Sequence, residues 1–295
     1  MATDVSDAFI NQYQSEVHQQ FQRRASYLLP TVRTKGGVKG QAIVWQKMGT
    51  GTATTKSRHG TITPMNVSHT PITNTLADFY AGDWADNLDL FKLNIDERFE
   101  LGQAGAGALG RQIDSQITTA LDATTQTAVT ITVTSFAAIR AGLVNAVEDL
   151  ADNDTPMDGN VWGVLTNRGW SQALQVAQFA SSDYTGPENL AFMEGFKTQK
   201  EFKSWMGVHW QAHNGLPGKG TATAKGFVYH KTACGYGYAK LVEGMDGPSA
   251  KVDITWHGDR QAWFIAHCMS GQAALIDDLG VIETNHDDTT GIATS

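Results

Sequence analysis

The sequence predicts a mixed α+β protein, and three observations carry that reading. Stretches with helical spacing of apolar residues occur in turn with β-branched stretches that alternate. Apolar residues make up 41% of the 295, enough to bury a sizeable core. Six of the eight tryptophans fall between Trp162 and Trp263, which places the main packed core in the C-terminal half. Charged residues are few, 18% of the chain, and 30 Gly with 32 Thr take their place.

In chain order, residues 4–28 read as a helix: Val5, Phe9, Tyr13, Val17, Phe21, Ala25 and Leu28 recur every three or four positions, and Pro30 ends it. Its apolar stripe is narrow and its flanks are polar, so it is expected to lie on something else as an arm. Strand-like stretches at Val38–Met48 and Thr61–Leu76 flank GTGTATTKSRHG, which has no large apolar residue. This is expected to be a β-hairpin with limbs of about 12 residues, roughly 40 Å long, whose far end cannot bury itself. A long helix follows over about residues 95–124, with Asn94 as N-cap and a stripe of Ile95, Phe99, Ala106, Leu109, Ile113, Ile117 and Leu121. TAVTITVT (127–134) alternates as a strand, and Ser135 opens a second helix through Phe136, Ile139, Leu143, Val147 and Leu150. Beyond it come a buried strand at 161–166, helices over 167–180 and 188–204, and strands in SWMGVHWQAH, GFVYH, KVDITWH and QAWFIAHC. No internal repeat is visible.

The net charge of −8 hides a segregation. From Val17 to Ala77 there is no Asp or Glu, while Arg23, Arg24, Arg33, Lys35, Lys39, Lys47, Lys56 and Arg58 give +8. The remainder carries 14 basic and 30 acidic residues, and acids crowd in at once after the basic block with Asp78, Asp83, Asp86 and Asp89. Such asymmetry points to a partner for the basic part, either nucleic acid or the acidic surface of another copy.

Chemical motifs are weak. GAGALG (105–110) matches a dinucleotide fingerprint in letters only, because it falls inside the long helix rather than in a strand-to-helix turn. It reads as a small-residue face for close packing. GWSQA (169–173) approaches a nucleophile elbow, but Ala173 replaces the last glycine, so Ser171 reads as a residue of a helix's first turn. His209 and His213 lack a third ligand at a recognisable spacing. His230, His257 and His267 read as core or interface residues. Cys234 and Cys268 make neither a CxxC nor a disulfide framework and read as buried small hydrophobes. No catalytic, cofactor or metal constellation is expected. The N-terminus has no signal-peptide pattern, and no apolar run nears the roughly 18 residues that span a membrane. The expectation is a soluble protein of a reducing compartment.

The order of parts resembles that of tailed-phage major capsid proteins. The resemblance is carried by FINQYQSEVHQQFQRRASYLLPTV (9–32), GVLTNRGWSQAL (163–174) and DRQAWFIAHCMSGQAALIDDLGVIE (259–283). It implies an arm at 1–35, an extended hairpin loop at 36–77 and a peripheral domain with its spine helix at 78–160. An axial domain at 161–250 follows, then the return strands of the peripheral domain and the C-terminus at 251–295. It further implies a shell protein without enzymatic activity or cofactor. Such a protein forms hexamers and pentamers with itself, and assembles with a scaffolding protein, a portal and decoration proteins. It encloses double-stranded DNA, held non-specifically, in a virion built in the host bacterial cytoplasm. Some relatives crosslink through a lysine on the extended loop, where Lys56 lies; non-covalent closure is the default expectation.

Heterologous contacts build closed shells. The expected inter-subunit residues are Lys39, Lys47, Lys56 and Arg58 on the basic finger, Asp78, Asp83, Asp86 and Asp89 on the acidic segment, and Phe9, Tyr13 and Phe21 on the arm. The alternatives are an encapsulin-type nanocompartment shell, a nucleic-acid-binding protein using residues 17–77, and a serine hydrolase through Ser171. Scarce aromatics in the basic block and a pI of about 5.5 weigh against a dedicated nucleic-acid binder.

Overall fold

The computed structural model describes residues 26–88, 97–180, 203–239 and 251–289. The expected arm helix, with Phe9, Tyr13 and Phe21, lies outside them except for Ser26–Leu28, as do Asn94, Asp89 and most of the expected helix at 188–204. The first strands are β1 (Arg33–Val38), β2 (Ala42–Met48), β3 (His69–Thr75) and β4 (Ala77–Asp86), followed by helix α1 (Glu97–Leu121). Next come β5 (Val129–Ile131), α2 (Phe136–Asp152), β6 (Val161–Leu165), α3 (Asn167–Ala173) and α4 (Ala177–Ala180). Then follow β7 (Lys203–Trp205), β8 (Val208–Ala212), β9 (Ala224–His230), β10 (Cys234–Ala239), β11 (Lys251–His257), β12 (Ala262–Leu275) and β13 (Val281–His286). The chain divides into two compact units, one of Met1–Ser26, Asp78–Arg111 and Leu241–Met269, the other of Tyr27–Ala77, Gln112–Lys240 and Ser270–Ser295.

The second unit is built on a six-stranded sheet of order β5-β13-β9-β6-β8-β7. Helix α2 covers it. Ser135 caps the helix by accepting the Ala138 amide at 3.2 Å, and the helical spacing of Ile139, Leu143, Val147 and Leu150 turns all four into the core. They pack with Val161, Leu165, Val228, Trp210 and Phe179. Each such side chain contributes about 1.5–3 kcal/mol by leaving water. Asp278 ties the α1–β5 connection to the turn before β13, accepting from the Thr124 hydroxyl, the Thr125 amide and hydroxyl, and the Gln126 side chain. Burial raises the Asp278 pKa, but these donors outweigh it and hold the carboxyl down at about 2.

In the same unit β1 runs parallel to β10 (Arg33↔Gly235), β10 pairs antiparallel with the end of β12 (Cys234↔Leu275), and β2 pairs with β3 from Ala42↔Thr75 to Met48↔His69. The first unit holds β4, β11, the beginning of α1 and the beginning of β12. Here β11 and β12 pair antiparallel from Lys251↔Cys268 to His257↔Ala262. Gly105 lets α1 close on the strand, since a Cβ there would lie 2.5 Å from His267 Nδ1. GAGALG is thus a close-packing face, as its position in the helix implied.

Three expectations are corrected, and one segment left without an element gains one. The hairpin's paired limbs are seven residues each, not 12, because the Gly- and Thr-rich stretch between Met48 and His69 offers no apolar face to stabilise a ladder. SWMGVHWQAH is two strands, not one: Met206 and Gly207 take positive φ of 54° and 75°, the backbone of a two-residue hairpin turn, and Trp205 pairs back on Val208. Lys203 and Ser204, expected at the end of a helix over 188–204, belong to the first of those strands, Lys203–Trp205. Acidic Asp78–Asp86 is strand β4, although Asp is a poor strand residue.

Candidate subunit interface

The hairpin's root is held by its own chain. Ile43 and Trp45 alternate on one face of β2, are 2% and 3% exposed, and pack with Ala274, Ile276, Val38, Ile72 and Leu76. They sit that deep because β10 presents glycines beneath them: a Cβ on Gly235 would come within 2.8 Å of the Trp45 ring, and one on Gly237 within 2.7 Å of Ile43. The Arg33 guanidinium lies 5.4 Å from the Trp45 ring centre. Asn74 Nδ2 donates to the Ala273 carbonyl at 2.9 Å, and Lys47 Nζ to Asp277 Oδ1 at 2.6 Å. Lys47, expected to reach another copy, is therefore engaged within its own chain.

Beyond the root this support ends. The Gly49 amide donates to the Ser68 carbonyl at 2.8 Å, and no strand pairing continues past it. Residues 51–59 are all exposed, including Lys56 and Arg58. On the returning limb Ile62 is 76% exposed and Met65 60%. Lys39, before β2, is exposed as well. The finger thus offers two cations at its end and two bare apolar side chains behind them, a combination that suits an acidic surface with an apolar patch.

A surface of that kind exists on the unit containing β4. The Trp84 ring lies tilted against Phe264, ring centres 4.6 Å apart, and edge-on to His257 at 5.0 Å, with the Arg260 guanidinium 4.5 Å from its ring centre. Gly82 lies against the same Phe264 ring, so Tyr80 and the carboxylates Asp78 and Asp86 follow on that face by alternation. Tyr80 is 77% exposed. Asp83 falls on the other face and accepts the Trp84 amide at 2.8 Å; Asp86 accepts the Leu88 amide at 2.8 Å. Strand β11 carries Val252, Ile254 and Trp256, all about half exposed, on the opposite face, since they pair with His267, Ile265 and Trp263 rather than with Phe264. Tyr, Trp and Arg gathered on one open face is the composition of interface hot spots. The sequence reading found the acids but missed these aromatics, although alternation of Tyr80, Gly82, Trp84 and Asp86 was there to be seen.

The chemical candidates do not assemble. Ser171 Oγ donates to the Arg168 carbonyl at 2.8 Å, an ordinary helix back-bond. His209 bonds Ser204 and the Gly159 carbonyl, whereas His213 faces Asp114, so the two do not converge. Among the described residues no group of three His, Cys, Asp or Glu could hold a metal ion, and no helix is long and apolar enough to cross a membrane. Cys234 is buried, which pushes its thiol up to about 12, but Cys268 is only half-buried, correcting the expectation for that residue. His230 and His267 are buried; His257 sits at the open aromatic face.

Comparison with known proteins bears on the fold and the family. No curated protein sequence matches the chain. The capsid of Cyanophage P-SCSP1u superposes with a TM-score of 0.72 at 15% identity, over 98% of this chain and 96% of that one. The capsid of Ralstonia phage GP4 gives 0.67 at 10% identity, over 100% of both chains. The SrpI encapsulin of Synechococcus elongatus PCC 7942 gives 0.66 at 11%, over 100% and 99%. These are subunits of assembled shells, not enzymes, and they share the fold. The model of the phage capsid protein family matches residues 5–288, and the chain belongs to that family.

Proposed function

We propose that this chain is the major capsid protein of a tailed bacteriophage, self-assembling through hexamers and pentamers into an icosahedral shell around double-stranded DNA. The observation that carries the reading is the hairpin: a well-anchored root with a far end, residues 49–68, that its own chain leaves mostly exposed. In the assembled shell the finger of one copy lies on the Tyr80–Trp84 face of β4 of the next, Lys56 and Arg58 toward Asp78 and Asp86, Ile62 and Met65 toward Tyr80 and Trp84. Exposed ion pairs contribute about 0–1 kcal/mol each, so apolar contact supplies most of the affinity and charge sets register and encounter rate. The arm residues Phe9, Tyr13 and Phe21 add a second contact. A scaffolding protein, a portal and decoration proteins are the expected partners, with DNA held non-specifically. Residues 78–160 with the return strands at 251–295 form the peripheral domain, and residues 161–250 the axial domain.

A nanocompartment shell is the second reading, favoured by the full-length match to an encapsulin. Electron microscopy of particles from the native source tests both. Uniform particles containing DNA support the phage shell, particles filled with a cargo protein support the nanocompartment, and a persistent 31.9 kDa monomer under all assembly conditions contradicts both.

A further inference from the structure

One buried carboxylate has no part in the fold's apolar core or in the proposed interface. Asp114 lies in α1, its side chain 0% exposed, and accepts hydrogen bonds from two distant chain segments. The Leu28 amide donates to Oδ1 at 3.1 Å, the Tyr27 amide to Oδ2 at 3.3 Å, and His213 Nε2 to Oδ2 at 3.1 Å. The Gly215 amide donates to His213 Nδ1 at 3.1 Å, which fixes the ring with its proton on Nε2, facing the carboxylate. The root beyond is closed in turn: the Thr31 hydroxyl donates to the Leu28 carbonyl at 2.6 Å and so accepts from the Tyr229 hydroxyl, also at 2.6 Å. Leu28, Thr31 and Val32 are buried.

We infer that Asp114 is a clasp that fixes the position and direction of the chain at Tyr27 and Leu28, a positioning residue for the segment 27–32 that leads into β1. Backbone amides cannot be replaced by substitution, and apolar packing would hold Leu28 without setting its direction. A carboxylate taking two successive amides on separate oxygens sets both position and direction. A carboxamide at this position cannot do so. Whichever way the side chain of an Asp114→Asn variant turned, its NH2 would face either the Leu28 amide or the Tyr27 amide with His213, donor against donor.

Hydrogen exchange on the full chain tests this, with Asp114→Asn against the wild type. Exchange across residues 27–32 is expected to rise about 10- to 100-fold while β6 and β9 change less than about three-fold, because the loss is local. Unchanged exchange at 27–32, or a rise shared equally by β6 and β9, overturns the clasp. Should Asp114→Asn fail to fold, the wild type alone decides: Leu28 must exchange at least about 100-fold slower than a free peptide, and exchange at the free-peptide rate overturns it.

Discussion

Replacing Ile62 and Met65 together by Ser separates the finger's two roles. In a lone subunit both side chains are mostly in water, at 76% and 60% exposure, so the double variant should fold with a stability change of no more than about 0.5 kcal/mol per site. In a shell the same side chains leave water. Full burial of such a side chain contributes about 1.5–3 kcal/mol, and the part still exposed here leaves about 1–2 each, or roughly 3 for the pair at every finger. That is about a hundred-fold weaker contact, repeated around every capsomer. Light scattering against subunit concentration would read it as an assembly threshold raised by about two orders of magnitude. Trp45→Ala is the control at the root. Buried at 3% exposure, it should cost the subunit about 3–5 kcal/mol by thermal melting whether or not assembly occurs. An unchanged threshold for the tip variant, or a fall in melting temperature as large as that of Trp45→Ala, would refute the division into anchored root and borrowed tip.

Reversing Lys56 and Arg58 to Glu should slow assembly without altering the subunit's circular dichroism, and wild-type assembly should itself slow as salt screens the encounter. Gly105→Val should cost about 1–3 kcal/mol in subunit melting, because its Cβ would meet the buried His267 ring at 2.5 Å. Asp278, with its pKa lowered to about 2, contributes stability above the unfolded value near 3.8 and loses it as pH falls toward 2. Asp278→Asn should therefore flatten the acid limb of the stability curve between about pH 4 and 2, by about 1 kcal/mol after allowing for solvent screening.

Much of this fold is legible where local chemistry and packing agree. Ser135 followed by Ile139, Leu143, Val147 and Leu150 marks α2 because cap and stripe point to one helix with one buried face. GTGTATTKSRHG marks the finger's far end because nothing in it can be buried. Other features fail to show for identifiable reasons. In β4 the acids mask a strand whose alternation is carried by Tyr80, Gly82 and Trp84. The split between β7 and β8 depends on Met206 taking a left-handed backbone, which its side chain does not announce. Long-range pairings leave no local trace: Lys47 meets Asp277 across 230 residues, and Asp114 meets Leu28 across 86. The basic block was therefore readable as a group, while which of its cations stays free for a neighbour was not.

The central claim is that residues 49–68 are covered by a sister copy. Hydrogen exchange of that stretch, measured in dissociated subunits and again in purified particles, addresses it directly. The account predicts near free-peptide exchange in the subunit and strong protection in the particle, with β6 and β9 protected equally in both. Identical fast exchange in both states, or protection already present in the lone subunit, contradicts it.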